Sequence, residues 1–279
     1  MKSFIVKAGA SALLGLCILT LGWSRGSAAP AQEQGKENQA QPGTPGEAPA
    51  PKVSKEELAA YNQFVEDSKT ADARQIINMG ETFVTTYPNS MYVGTVQGEL
   101  AMNYMRVNDV NRMVAAGEKA LAANPDNVDV LPLMAFAIPR RNGSTAQDLE
   151  RAMNYARRAI NLLSTMPKPP DIDDATFARV KNEKLAQCRS GMGTAYFKTG
   201  HFDEAVTELS QAVRLVDPNS PDPVDYYVLG LANERSSHFT DAVAAFDKCA
   251  TIQSSLQANC KALSSETKKK GANSLEAPK

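Results

Sequence analysis

This chain of 279 residues carries two histidines, His201 and His238. They hold matching places in two related stretches, "GTAYFKTGHFDEA" at 193–205 and "GLANERSSHFTDA" at 230–242. Two imidazoles without a Cys or carboxylate motif leave a tetrahedral metal site unfinished, and no neighbouring Ser or Cys completes a nucleophilic triad. The pair therefore reads as turn residues, with no metal bound. Carboxylates are plentiful ("DIDDA", "HFDEA"), but acids in a first helical turn are ordinary partners of the helix dipole, and no spacing singles out an acid–base pair. "GMGTA" lacks the strand and the Lys-Ser/Thr of a phosphate-binding loop. The expectation is a non-enzyme with no cofactor.

The cysteines say more. Cys249 and Cys260 stand 11 residues apart, room for a helix end, a turn and a return. Outside the cytoplasm such a pair can oxidise and staple a C-terminal helix; whether it does is left open by the sequence. Cys188 falls midway along a long helical run and reads as a small buried hydrophobe. Cys17 belongs to a leader. Lys2 and Lys7 precede the apolar run "AGASALLGLCILTL", and "GSAAPA" offers cleavage after Ala28 or Ala31, the three-part layout of a secretory signal over 1–29. The alternative is an uncleaved anchor. A lipoprotein signal is disfavoured because Leu16 precedes Cys17. Residues 30–53 are rich in Pro, Gly and Gln and read as a disordered linker. The repeat domain is expected over 54–268, with 269–279 a flexible tail. The protein is thus expected to be exported to the periplasm, or anchored in the membrane facing it.

Aromatics make up 6% of the chain and alanine is abundant, which favours helices packed through small side chains over a β-rich fold. Sparse aromatics, with Trp23 in the leader the one tryptophan, also argue against a glycan-stacking groove. A net charge of −1 gives no general affinity for nucleic acid. Removing 1–29 would take Lys2, Lys7 and Arg25 but no acid, so the mature chain would be more acidic. The basic clusters Arg140-Arg141, Arg157-Arg158 and Lys268–Lys270 are short and read as solvated faces.

Those side chains need a frame, and prolines mark it. Pro88, Pro125, Pro167 and Pro218 each follow an Ala-rich helical run, at intervals of 37, 42 and 51 residues. Returns at that scale imply an array of helical hairpins. The first helix opens with the capping signature Ser54-Lys55-Glu56-Glu57 and runs to about Asp67. Its partner "ARQIINMGETFVTTY" has Ile76, Ile77, Phe83 and Val84 on one face. Further amphipathic pairs follow, and the insert "PKPPDIDD" precedes a long helix over about 174–198. Asp203 and Thr240 are placed to cap the second helices of the last two hairpins.

With these units in view the chain resembles the tetratricopeptide (TPR) repeat proteins, of an exported bacterial kind. Residues 186–218 carry the pattern through Gly193, Tyr196, Gly200, Phe202, Ala205, Ala212 and Pro218. Residues 223–250 keep Gly230, Phe239, Ala242 and Phe246, with Asn233 in place of the aromatic. Residues 94–125 keep Tyr104, Ala120 and Pro125. The resemblance implies an all-α, right-handed solenoid of antiparallel hairpins with a C-terminal capping helix. In it Gly193, Tyr196, Ala205, Gly230 and Ala242 hold the repeat positions where two helices cross. It also implies a concave groove lined by Met102, Met105, Arg106, Thr194, Phe197, Lys198, Tyr227, Leu231, Glu234 and Arg235, suited to a peptide or helix of another envelope or secreted protein. Met102, Thr194 and Leu231 stand where binders of chaperone tails need Asn, so that ligand class is not expected. An enzyme would need a convergent polar pocket around the insert, and a small-molecule or glycan binder would use the groove itself.

Overall fold

The computed structural model describes residues 53–276, so the leader at 1–29 and nearly all of the linker lie outside the described residues. The described residues form eleven helices. The first helices of the hairpins (A helices) are α1 (Lys55–Asp67), α3 (Val93–Arg106), α5 (Val130–Arg140), α7 (Asp174–Lys198) and α9 (Pro223–Arg235). The second (B) helices are α2 (Ala73–Thr86), α4 (Val110–Ala123), α6 (Ala146–Thr165), α8 (Phe202–Leu215) and α10 (Phe239–Thr251); α11 (Gln257–Glu276) closes the array. No helix among the described residues is long and apolar enough to cross a membrane.

One turn is used three times. After α3, α7 and α9 the residues Asn108, Gly200 and Ser237 take positive φ of 60°, 82° and 62°. The next N–H then reaches back to a carbonyl five residues earlier: Asp109 to Tyr104 at 2.8 Å, His201 to Tyr196 at 2.9 Å, His238 to Asn233 at 2.8 Å. This 6→1 bond satisfies a helix-end carbonyl and folds the chain straight into the B helix. It also overturns the expected caps. His201 and His238 are themselves the N-cap residues of α8 and α10, without a side-chain cap bond. Asp203 lies one residue inside α8, too far along to cap, and accepts a hydrogen bond from the Ser236 hydroxyl instead. Thr240 is likewise inside α10. Elsewhere side chains do cap: Ser54 accepts from the Glu57 N–H, and Asp72–Gln75 and Thr145–Asp148 form reciprocal boxes.

Each A helix packs on its own B helix, and each B helix on the A helix that follows. One core runs through Phe64, Ile77, Leu100, Tyr104, Met113, Met134 and Ile138 to Met192; a second holds Ala205, Leu209, Val228 and Leu229, and Tyr196 packs against both. The crossings inside the hairpins leave no room for larger residues. A Cβ on Gly193 would lie 2.5 Å from Leu209 Cγ, and one on Gly230 2.5 Å from the Phe246 ring, while Ala205 and Ala242 are fully buried. At the open end α1 buries Phe64 alone and stacks Tyr61 on Tyr92 at 4.0 Å.

α11 docks on α10 through small and polar residues, with Cys260, Ser264 and Thr267 buried. Ser264 donates to Asp247 at 2.5 Å and Thr267 to Glu234 at 2.7 Å; Cys249 and Cys260 are joined, with Cα atoms 5.9 Å apart. The helix continues through 269–276, which corrects the reading of that stretch as tail. Lys270 pairs with Glu234 at 2.8 Å, and a Cβ at Gly271 would meet Phe239 Cβ at 3.1 Å, so the extra turns have something to rest on. Lys268 pairs with Asp247 and Lys270 with Glu234, so this basic cluster is ion-paired and not simply solvated.

Candidate partner-binding face of the A helices

The A helices run parallel. Lys184, midway along α7, pairs with Asp129 at the start of α5, and the Lys198 ammonium at the end of α7 donates to the Arg141 carbonyl at the end of α5 at 3.1 Å. The same face of α3, α5, α7 and α9 therefore lines up across successive repeats, and the sequence-derived groove residues fall on it unevenly. Met102 and Met105 are half-buried against the first core, and Phe197 and Tyr227 against the second. Leu231 is half-buried. Phe197 lies 5.7 Å from the Phe202 ring, and the Arg235 guanidinium 6.0 Å from that same ring. Arg106, Lys198 and Arg235 are exposed.

Two of the expected groove residues do not line an open surface. Thr194 is 3% exposed and its hydroxyl has no hydrogen-bond partner among the described residues. Glu234 is taken up by Thr267 and Lys270 of α11. Tyr227 touches α11 as well, its hydroxyl 3.5 Å from the Asn259 amide nitrogen. The capping helix thus lies along the last A helix, as the A helix of another repeat would.

The sequence reading missed the centre of the face. Arg140, expected on a solvated surface, is 16% exposed at its side chain and joins three A helices. It donates to Asp222 at 2.6 Å, to the Ser190 hydroxyl at 2.7 Å and to Asp225, while its guanidinium stacks 3.8 Å over the Phe136 ring. The Ser190 hydroxyl also donates to Asp225 at 2.5 Å. Burial pushes the Asp225 carboxyl above the usual carboxylate range, with Arg140 opposing. Breaking such a network by deleting one partner costs about 3–5 kcal/mol, because a charge is left buried alone. Only the Phe136–Arg140 spacing of four, which puts ring and guanidinium on one helix face, hinted at it. Arg141 pairs with Asp148 at 3.4 Å and Arg158 with Asp126 at 2.7 Å, whereas exposed Arg157 contacts Asn154 and Tyr196.

Glu99 of α3 is the other unusual acid. Its carboxyl is pushed up to about 7 by burial first and by the Asp129 charge second, with Arg106 opposing. Cys188 is fully buried, and burial raises its thiol to about 12, leaving it unreactive in the folded chain. Among the described residues no three His, Cys, Asp or Glu side chains group as ligands for a metal ion. His201 contacts the Thr199 hydroxyl at 3.0 Å and sits edge-on to Tyr196, at 6.1 Å between ring centroids. At the insert, Lys168 pairs with Asp174 on the surface at 2.5 Å.

No family model and no curated protein sequence matches this chain. Solved structures do. YrrB, described as a TPR protein with an unusual peptide-binding site, is 17% identical, covers 77% of this chain and 94% of its own length, and superposes with a TM-score of 0.50. PilW, a type IV pilus biogenesis factor, is 17% identical over 77% of this chain and 86% of its own, with a TM-score of 0.49. MamA from Desulfovibrio magneticus RS-1 is 13% identical over 72% and 97%, with a TM-score of 0.47. At these identities the likeness speaks for architecture and not for activity. Together with eleven helices folded as stacked hairpins, the match to YrrB shows that this chain has the all-α solenoid fold of the TPR proteins.

Proposed function

We propose that this protein is a non-catalytic scaffold of the cell envelope that holds a peptide or helix of another exported protein against its A-helix face. The observation that carries the reading is the surface of α3, α7 and α9: half-buried Met102, Met105, Phe197 and Leu231 beside exposed Arg106, Lys198 and Arg235. Flexible thioethers and rings give a segment anchoring area, and the cations give it orientation. Stacked hairpins extend that surface over several repeats, so a long segment gains contacts without a deep pocket.

A photo-crosslinking phenylalanine at position 197, with Glu150 on the exposed side of α6 as control, tests this in living cells. A discrete adduct at 197 and none at 150 is the expected result; equal labelling, or none at 197, overturns it. Envelope placement rests on the leader-like segment 1–29. Because Trp23 is the one tryptophan, the exported and processed protein should show no indole fluorescence, and a chain that keeps its leader should show it.

A further inference from the structure

We infer that the segment held on this face is acidic and places its carboxylates on Arg106, Lys198 and Arg235; the inference rests on the reading that the A-helix face holds a protein segment. All four inner A helices end on a cation: Arg106 in α3, Arg140 in α5, Lys198 in α7 and Arg235 in α9. The helix dipole alone favours a cation there. What separates the four is their counter-ions. Arg140 takes two carboxylates from within the chain, Asp222 and Asp225. Among the described residues the other three form no ion pair, although the Glu99 and Glu234 charges act on Arg106 and Arg235 from a longer range. Arg106 donates only to the Asn103 amide oxygen at 3.0 Å, Lys198 only to the Arg141 carbonyl, and Arg235 lies near the Phe202 ring.

The acids of this face are already engaged. Asp129 is held by Lys184, Asp222 and Asp225 by Arg140, and Glu234 by Thr267 and Lys270. Glu99 carries part of a charge at neutral pH, its carboxyl titrating at about 7. The face is therefore left positive although the chain as a whole is at −1. Burial lowers the Lys198 ammonium below its ordinary range, and no carboxylate offsets this. An incoming carboxylate would supply that compensation. The Arg140 network displays the same exchange completed within the chain.

The geometry also sets a spacing. Directly packed helix axes lie about 8–10 Å apart, so Lys198 and Arg235 are at least one such step apart, and Arg106 and Lys198 at least two, with Arg140 already filled between them. An extended segment advances about 3.3 Å per residue. Acids at least about three and six residues apart would meet the three cations, and apolar residues between them would face Met102, Phe197 and Leu231.

The test uses the full-length protein with the photo-crosslinking phenylalanine at 197, in cells, and maps the attached segment by mass spectrometry. Lys198→Glu with Arg235→Glu should cut the adduct roughly tenfold to a hundredfold, since each exposed pair is worth up to about fivefold and reversal adds repulsion. Lys198→Arg with Arg235→Lys should restore it. Reversing charge at two helix C-termini opposes the helix dipole and should lower the thermal melt by only a few degrees, and a cooperative melt of that kind separates lost binding from lost folding. The mapped segment should be net acidic, and as a synthetic peptide it should lose affinity with added salt and on replacement of its acids by amides. A neutral or basic segment, or an adduct undiminished by charge reversal, overturns the acidic partner and leaves the scaffold reading standing. No adduct from the wild-type probe at 197 overturns both.

Discussion

Replacing Gly191 with alanine should separate α5 from α7. The reason begins with Pro139, which lies inside α5 and has no N–H to donate to the carbonyl four residues back, that of Ala135. This freed carbonyl faces α7 at Gly191: a Cβ there would lie 2.1 Å from the Ala135 oxygen, 2.6 Å from its carbonyl carbon and 3.1 Å from the Phe136 nitrogen. A comfortable C–O contact is about 3.3 Å, so the helices must part by about 1.2 Å. The opposing atoms are backbone and cannot rotate away. A gap of that size forfeits much of the dispersion along the seam, where Met134, Ile138 and Cys188 are fully buried. Overpacking of this kind costs about 1–3 kcal/mol, and more where nothing can yield, whereas alanine returns about 1 kcal/mol of helix propensity. The net expectation is a loss of about 2 kcal/mol, or about 4–8 °C in Tm for a domain of this size. Gly98→Ala is the control: its Cβ would meet Val130 Cγ2 at 3.4 Å, an ordinary contact, so it should gain about 1 kcal/mol. Thermal and urea melts followed by circular dichroism measure both. If Gly191→Ala proves as stable as Gly98→Ala, the close approach of α5 and α7 is wrong, and with it the placing of Arg140 over Ser190.

The other predictions concern charge, turn and thiol. Glu99 has its folded pKa raised to about 7, so it favours the fold while protonated in both states, below about 4.5, and that contribution is lost as pH rises towards 7. Urea midpoints from pH 5 to 7.5 should therefore fall more steeply for wild type than for Glu99→Gln, by at most about 3 kcal/mol; parallel profiles would show that Glu99 is solvated. Ser237 holds φ of 62° where Gly200 does the same work in the neighbouring hairpin, so Ser237→Gly should raise stability by about 1 kcal/mol in the same melts. Cys188 should resist alkylation until the protein is denatured, and the processed protein, unfolded without reductant, should then show a single thiol. Two more thiols appearing would mean that Cys249 and Cys260 are not bonded. With the bond present, Cys260→Ser should cost about 3 kcal/mol in the chain-entropy picture.

How far the sequence could be read depended on the range of the contact. Helix limits were legible because each helix reports locally through its own periodicity and its closing proline: α2, α4, α6 and α8 end within a few residues of Pro88, Pro125, Pro167 and Pro218. The turns were only half legible. The His-Phe pair was visible as a turn, but the left-handed residue before each histidine moves the N-cap from Asp203 and Thr240 back to His201 and His238. Contacts between successive A helices were not legible. Gly191 sits two residues from Gly193, and only the second matches the repeat pattern, because that pattern records the crossing within a hairpin and not the stack.

The same difference in range explains why the A-helix face was misjudged at its centre. In sequence, Arg140 lies more than eighty residues from Asp222 and Asp225, and each of the three passes for an ordinary helix-end charge. They become one network because α5, α7 and α9 are brought side by side, with small residues in α7 letting the guanidinium reach across. A solenoid gains from this arrangement. Hairpin interiors must keep Gly, Ala and aromatic residues to pack at all, whereas the charges at helix ends are free to differ from repeat to repeat. Arg140 spends that freedom on holding the stack together. Arg106, Lys198 and Arg235 also end their helices but form no internal ion pair, so on the proposed reading the specificity of this face lies in those positions and not in the repeat pattern that builds the fold.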